Sequence, residues 1–173
     1  MKRKNTLFIC LTISIGMFLV ASGAAYAVNP VDLERLKTTN SCPNCDLIDA
    51  DLQGVNLQGA NLIFAHLSRA NLSGANLTGA KLSQANMKNA NLSEAYLKNA
   101  EMAQTFLGDA NLSRANLIGT ILGGADLYNA KLIGANLYNA ILDGADLLGA
   151  NFSGAIWTDG STCKDGSIGK CNK

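Results

Sequence analysis

Ala70-Asn71-Leu72-Ser73-Gly74 is followed at once by Ala75-Asn76-Leu77-Thr78-Gly79. The same five-residue phrase runs from Cys45 to Asp159, with a large apolar residue at every fifth position from Leu47 to Trp157, 23 units in all. Five residues of α-helix advance the chain by about 500°, which scatters successive leucines roughly 140° apart and leaves no apolar face. A flat strand needs strict alternation, and the apolar spacing here is two, then three. Ala70 and Leu72 share one face of a short extended segment, and the chain must bend before Ala75 can rejoin that face. Each unit is thus an extended side and a corner. Units of this kind coil and stack as a solenoid, each burying its inner face against its neighbours.

The slots have distinct chemistry. The large slot is mostly Leu, with Met87, Met102, Phe152 and Trp157 as variants. The small slot is mostly Ala, with Val55, Thr105 and Thr120 as exceptions. The slot before the Leu is usually Asn or Asp, whose short side chains bond nearby backbone at a bend. Gly54, Gly59, Gly74 and Gly79 fall in the corner, where backbone freedom is needed, and do not form a nucleotide-binding motif. The Asn-x-Ser triplets at Asn71, Asn91 and Asn111 are by-products of the repeat.

This run of Ala-(Asn/Asp)-Leu-x-x units resembles the pentapeptide-repeat proteins. The resemblance implies an all-β solenoid, a right-handed quadrilateral β-helix with four units per coil. It covers about two thirds of the chain. It says little of activity, because one fold hosts many functions.

Outward from the repeat, residues 1–27 read as a secretory signal. Lys2, Arg3 and Lys4 open it, an apolar run follows from Leu7 to Val20, and Ala25-Tyr26-Ala27 is a small-x-small cleavage site. The mature chain is expected to begin at Val28, exported to the periplasm or beyond, with no membrane contact after cleavage. An uncleaved anchor is the competing reading. The chain has 14 basic and 13 acidic residues; losing the three basic residues of the signal leaves a net charge of −2. That balance fits neither nucleic-acid binding nor mimicry of DNA.

Residues 28–44 read as an N-terminal cap with a short helix. Asn29 suits its N-cap, Pro30 its first turn, and Asp32 and Glu34 its positive end, while Val31, Leu33 and Leu36 offer apolar contacts to the first coil. Residues 45–159 form the repeat body. Residues 160–173 form a tail, in which Cys163 and Cys171 bracket a short loop and Trp157 stands as a bulky plug just before it. The segment from Trp157 to Cys171 resembles the C-terminal cap of exported members of that family.

Four mature cysteines in an oxidising compartment suggest disulfides. Cys42-Pro43-Asn44-Cys45 has the spacing of a redox pair, but the helix and βαβ context of such a centre is missing. Nearly six coils separate Cys42 and Cys45 from Cys163 and Cys171, on the order of 25–30 Å at strand spacing. One metal cannot bridge the pairs, and the expected pairing is Cys42 with Cys45 and Cys163 with Cys171.

The outward slots are where function can reside. Residues 20 apart stack, so Lys81 and Glu101 are expected as an ion pair, and Tyr128 lies beneath Leu148. His66, the lone histidine, stands between Asp46 and Asn86 without a nucleophile or metal partners, which gives it the role of a plain surface residue. No catalytic set, cofactor motif or metal-ligand cluster is legible. Ile118, Ile121, Tyr138 and Ile141 flank one corner in slots that are polar in earlier coils, such as Thr78, Lys81, Lys98 and Glu101. They form the best candidate interaction patch. The function expected is a non-enzymatic exported scaffold that binds an unknown protein partner. The alternatives are a periplasmic thiol–disulfide protein and, disfavoured, a DNA mimic that binds a topoisomerase.

Overall fold

The computed structural model describes residues 28–173; the expected signal at 1–27 lies outside the described residues. From Ser41 onward, single-residue parallel bridges link every fifth position to the one 20 residues later, from Ser41 with Asn61 to Asn136 with Ile156. Four five-residue sides therefore make one coil. Six coils begin at 41, 61, 81, 101, 121 and 141. Within a side, slot one is the Asx position, slot two the Leu, slots three and four the turn, and slot five the Ala.

The hydrogen bonds explain why so short a unit suffices. Leu47 N donates to His66 O (2.8 Å), Asp49 N to Ser68 O (3.1 Å), and Asn71 N of the next coil to Ala50 O (2.9 Å). Slots two and four thus donate forward along the stack, and slot one donates backward. The corner is closed by a bond from slot five to slot two, as from Ala50 N to Leu47 O (3.1 Å). Slot four takes a positive φ, the arrangement of a type II turn. Glycine fills it without strain at Gly74 and Gly79, whereas Phe64 is held there at φ 60°.

The Asx residues serve the turn: Asn76 Oδ1 accepts from Thr78 N at 3.1 Å, and Asn136 Oδ1 from Tyr138 N at 3.1 Å. On the third side of the coils they also form a ladder. Asn71 donates to Asp51, Asn91 to Asn71 and Asn111 to Asn91, at 3.0–3.2 Å. Asn71, Asn91 and Asn111 each head an Asn-x-Ser triplet, and their amides are engaged in the stack. The core is the inner column of Leu and Ala, fully buried through most coils. Burying each Leu contributes about 1.5–3 kcal/mol before chain entropy is counted. Thr105 and Thr120, the polar exceptions in the small slot, are buried and satisfied: their hydroxyls donate to Leu82 O and Leu97 O at 3.0 and 2.8 Å.

At the N-terminal end, α1 (Pro30–Thr39) lies over the first coil. Asn29 caps it by accepting from Val31 N and Asp32 N, and Asn40 ends it in a left-handed conformation. Leu36 is buried against the core and Leu33 packs partly, while Val31 is 73% exposed and makes no lid contact of note, contrary to the sequence expectation. The coils begin earlier than Cys45. Ser41 already bridges to Asn61, and Cys42 occupies the large slot of a first side at 41–45, which places the Cys-x-x-Cys segment inside the solenoid.

At the C-terminal end, the tail folds back over the last coil. Asn151 bridges to Ile168 and Ile156 to Thr162, both antiparallel. Trp157 meets Phe152 edge-on at 5.0 Å, but it is only partly buried and does not plug the coil.

Candidate functional site

The four residues of the expected patch lie where the fourth side turns into the first. Ile121 bridges to Ile141, and Gly119 N donates to Tyr138 O, so the two coils are in register there. Ile121, Tyr138 and Ile141 are 39%, 46% and 45% exposed. Ile118, in the outward slot after Leu117, is half-buried. Tyr138 also lays its ring within 3.5 Å of where a side chain on Gly160 would begin, so its ring edge is partly committed to the last corner.

This corner is continuous with a concavity at the C-terminal end. A cleft of about 450 Å³ is lined by Ala140, Ile141, Leu142, Asp143, Leu147, Trp157 and Thr158. Its floor is core. Leu142 and Leu147 hold the large slot, which is buried in nearly every earlier coil, yet here they are only partly covered. Leu148 beside them is 67% exposed. The cause is the tail, which pairs with the third and fourth sides of the last coil, reaches the second only at its end, where Gly169 N donates to Ala150 O, and leaves the first bare.

A second groove, of about 500 Å³, sits where the first side turns into the second, in the middle coils. Phe64 and Phe106 flank it, with His66, Gln84, Asn86 and Lys88 between and beside them. The sequence reading missed it. The signal was available: Phe64 replaces the small residue that a left-handed corner favours, Phe106 replaces the turn-forming Asx, and both are nearly half exposed. His66 lines this groove and bridges in the backbone to Asp46 and Asn86.

Electrostatics is modest throughout. Lys81 and Glu101 are backbone neighbours, but no ion pair forms between them among the described residues. Arg69 instead grips Asp49 through Nε and Nη2 at 2.8 and 2.7 Å, and this hydrogen bonding holds the Asp49 carboxyl below its ordinary range. The Lys173 ammonium and the Ser161 hydroxyl and amide do the same for Asp159. Both pairs are exposed, where an ion pair adds little.

Each cysteine pair is brought to bonding distance: Cys42 with Cys45, Cα–Cα 5.3 Å, and Cys163 with Cys171, Cα–Cα 5.0 Å. Asp32 joins Cys42 and Cys45 in a cluster whose ligand atoms lie within 4.8 Å of one another. With its two sulfurs facing each other at bonding distance, that cluster offers no free thiolate to a metal. Among the described residues no helix is long and apolar enough to cross a membrane.

Comparison with known proteins agrees with this architecture. The family model for pentapeptide repeats matches with eight copies, over residues 45–84, 75–114, 90–127, 110–147 and 120–159. A pentapeptide repeat protein (Rfr23) from the cyanobacterium Cyanothece 51142 is 32% identical over 72% of this chain and 88% of its own, with a TM-score of 0.43. HetL, a pentapeptide repeat protein involved in heterocyst differentiation regulation from the cyanobacterium Nostoc sp. strain PCC 7120, is 33% identical over 70% of each chain, with a TM-score of 0.32. A trypsin-treated form of QnrB1, a plasmid-mediated fluoroquinolone resistance protein, is 25% identical over 65% of this chain and 63% of its own, with a TM-score of 0.45. No curated protein matches. With matched repeats running from Cys45 to Asp159, the chain belongs to the pentapeptide-repeat family.

Proposed function

We propose that the protein is a non-enzymatic, exported scaffold, a right-handed quadrilateral solenoid that works by binding another protein. The observation that carries this reading is the apolar corner of Ile121, Tyr138 and Ile141, which is exposed and runs into the bare end of the last coil. Contiguous exposed apolar surface marks interaction sites. Aromatic anchors such as Tyr138 often dominate them. In the exported compartment Cys42–Cys45 and Cys163–Cys171 are disulfides that staple the two ends, in keeping with their distances. The charge balance and export signal speak against DNA mimicry, and the burial of Cys42 and Cys45, which closes their sulfurs to an attacking thiolate, speaks against thiol–disulfide catalysis.

The test is crosslinking in the exported fraction of cells, with recovery of protein that begins at Val28 and of what is attached to it. Replacing Ile121 and Tyr138 together by Ser should change stability little, since surface substitutions stay near about ±0.5 kcal/mol each. The same change should strip the crosslinked partner. A partner retained at wild-type yield overturns the corner as a binding site.

A further inference from the structure

The stacking rule leaves a specific deficit at the C-terminal end. In each earlier coil, slots two and four donate to the next coil, and slot five accepts from it. On the third and fourth sides of the last coil, the tail supplies partners: Phe152 N donates to Ser167 O, Gly154 N to Cys163 O, and Trp157 N to Ser161 O. On the first and second sides it supplies one partner, Gly169 N to Ala150 O, at the very end of the second side. Leu142 N, Gly144 N, Leu147 N and Gly149 N have no acceptor, and Ala140 O and Ala145 O no donor, among the described residues. The half-covered Leu142 and Leu147 lie beneath that same edge.

We propose that this edge takes an extended segment of another protein, about ten residues long, added as a further two-sided turn of the solenoid. This rests on reading the protein as an interaction scaffold, and it names the partner's chemistry. Strand addition of this kind draws affinity from main-chain hydrogen bonds and specificity from alternate side chains. The molecule already uses the mode on its other half, where its own tail is the added segment.

The occupant is not a second copy of this chain. Another copy's open edge presents the same surplus of donors, so donors would face donors. Its opposite end, which has the complementary acceptors, lies under α1, and head-to-tail stacking is blocked. Charge then selects among extended segments. Residues 121–130 and 141–150 carry Asp126, Asp143 and Asp146 and no Lys or Arg. Asp143 and Asp146 are exposed at the edge itself. The added segment therefore carries apolar residues inward, over Leu142 and Leu147, and basic residues outward.

The probe is a fluorescent decapeptide, Lys-Leu-Lys-Gly-Ala repeated twice, which sets lysines over Asp143 and Asp146. Its counterpart has Glu for every Lys. With the full chain, anisotropy should show the lysine peptide binding at least tenfold more tightly than the glutamate peptide. Amide shifts should concentrate at Leu142, Gly144, Leu147 and Gly149. The double change Asp143→Lys with Asp146→Lys, checked for an intact melting transition, should reverse the peptide preference. Binding of neither peptide, equal binding of both, or shifts confined to other coils overturns the proposal. So does a dimer in sedimentation that protects those four amides without peptide. The corner is tested separately, because replacing Ile121 and Tyr138 by Ser should leave peptide binding intact. Loss of the crosslinked partner in that variant, with no peptide binding in any form, would sink the edge alone.

Discussion

The two ends of this solenoid meet the same problem with different parts. A stacked coil exposes apolar core and unpaired backbone at its first and last turns, and both need covering. At the N-terminal end, α1 lies across the coil with Leu36 1% exposed, and Leu47, Leu52 and Leu57 beneath are buried. Side chains of the lid reach the backbone too: Asp32 Oδ2 accepts from Asp46 N, and Asn40 Nδ2 donates to Gln58 O, both at 2.9 Å. At the C-terminal end an extended tail pairs with two sides, touches the end of the second at Ala150, and leaves the rest of the first two sides open. A helix covers apolar area but cannot continue a ladder, whereas a strand continues the ladder only where it runs. The tail turns back at Gly160, which takes a positive φ and donates to Trp157 O, and Cys163 is held to Cys171, so it completes about half a coil.

The difference can be broken by paired truncations. Leu36→Ala should cost about 2–5 kcal/mol, the range for a large side chain removed from a packed core. Leu142→Ala removes a side chain that is already partly exposed, and it should cost about 1–2 kcal/mol. Urea denaturation of the two variants compares them directly. Equal losses would mean that the last coil is as well covered as the first.

How much of this was legible beforehand depends on what each feature rests on. The period of five identifies a coil, because Leu72 and Leu77 can share an inner face only if the chain bends between them. The Asx slot announced its turn role for the same local reason, and Asn76 performs it. The place where the coils start was misread by one unit, since Cys42 is smaller than the Leu whose slot it fills. Ile118 holds an outward slot, and the packing of the corner half buries it. The open stretch of the first and second sides was not legible, because it depends on where the tail returns, and residues 160–173 carry no repeat register. The Phe64–Phe106 groove was within reach of the 20-residue columns, but it asks for two different slots on adjacent sides to be read together.

A smaller effect sharpens the comparison from the tail. Replacing Cys163 and Cys171 by Ser should cost about 2–3 kcal/mol, by releasing a short closed loop in the unfolded chain. It should also loosen the third and fourth sides of the last coil, so that Phe152 and Gly154 amides exchange more nearly like those of the bare sides. Differential scanning calorimetry with amide exchange reads both. A full loss of the melting transition would show instead that the tail is required for the coils to stack.

The last coil is paired by the tail on its third and fourth sides and, apart from Ala150 O, is open on its first and second. Amide hydrogen exchange on the free protein tests this arrangement most directly, because protection follows hydrogen bonding and local stability. Leu142, Gly144, Leu147 and Gly149 should exchange orders of magnitude faster than Leu122, Gly124 and Leu127, which hold the equivalent slots one coil below and donate to Ile141, Asp143 and Asp146. Phe152 and Gly154, under the tail, should be protected as well. Equal protection across all four sides of the last coil would contradict the account.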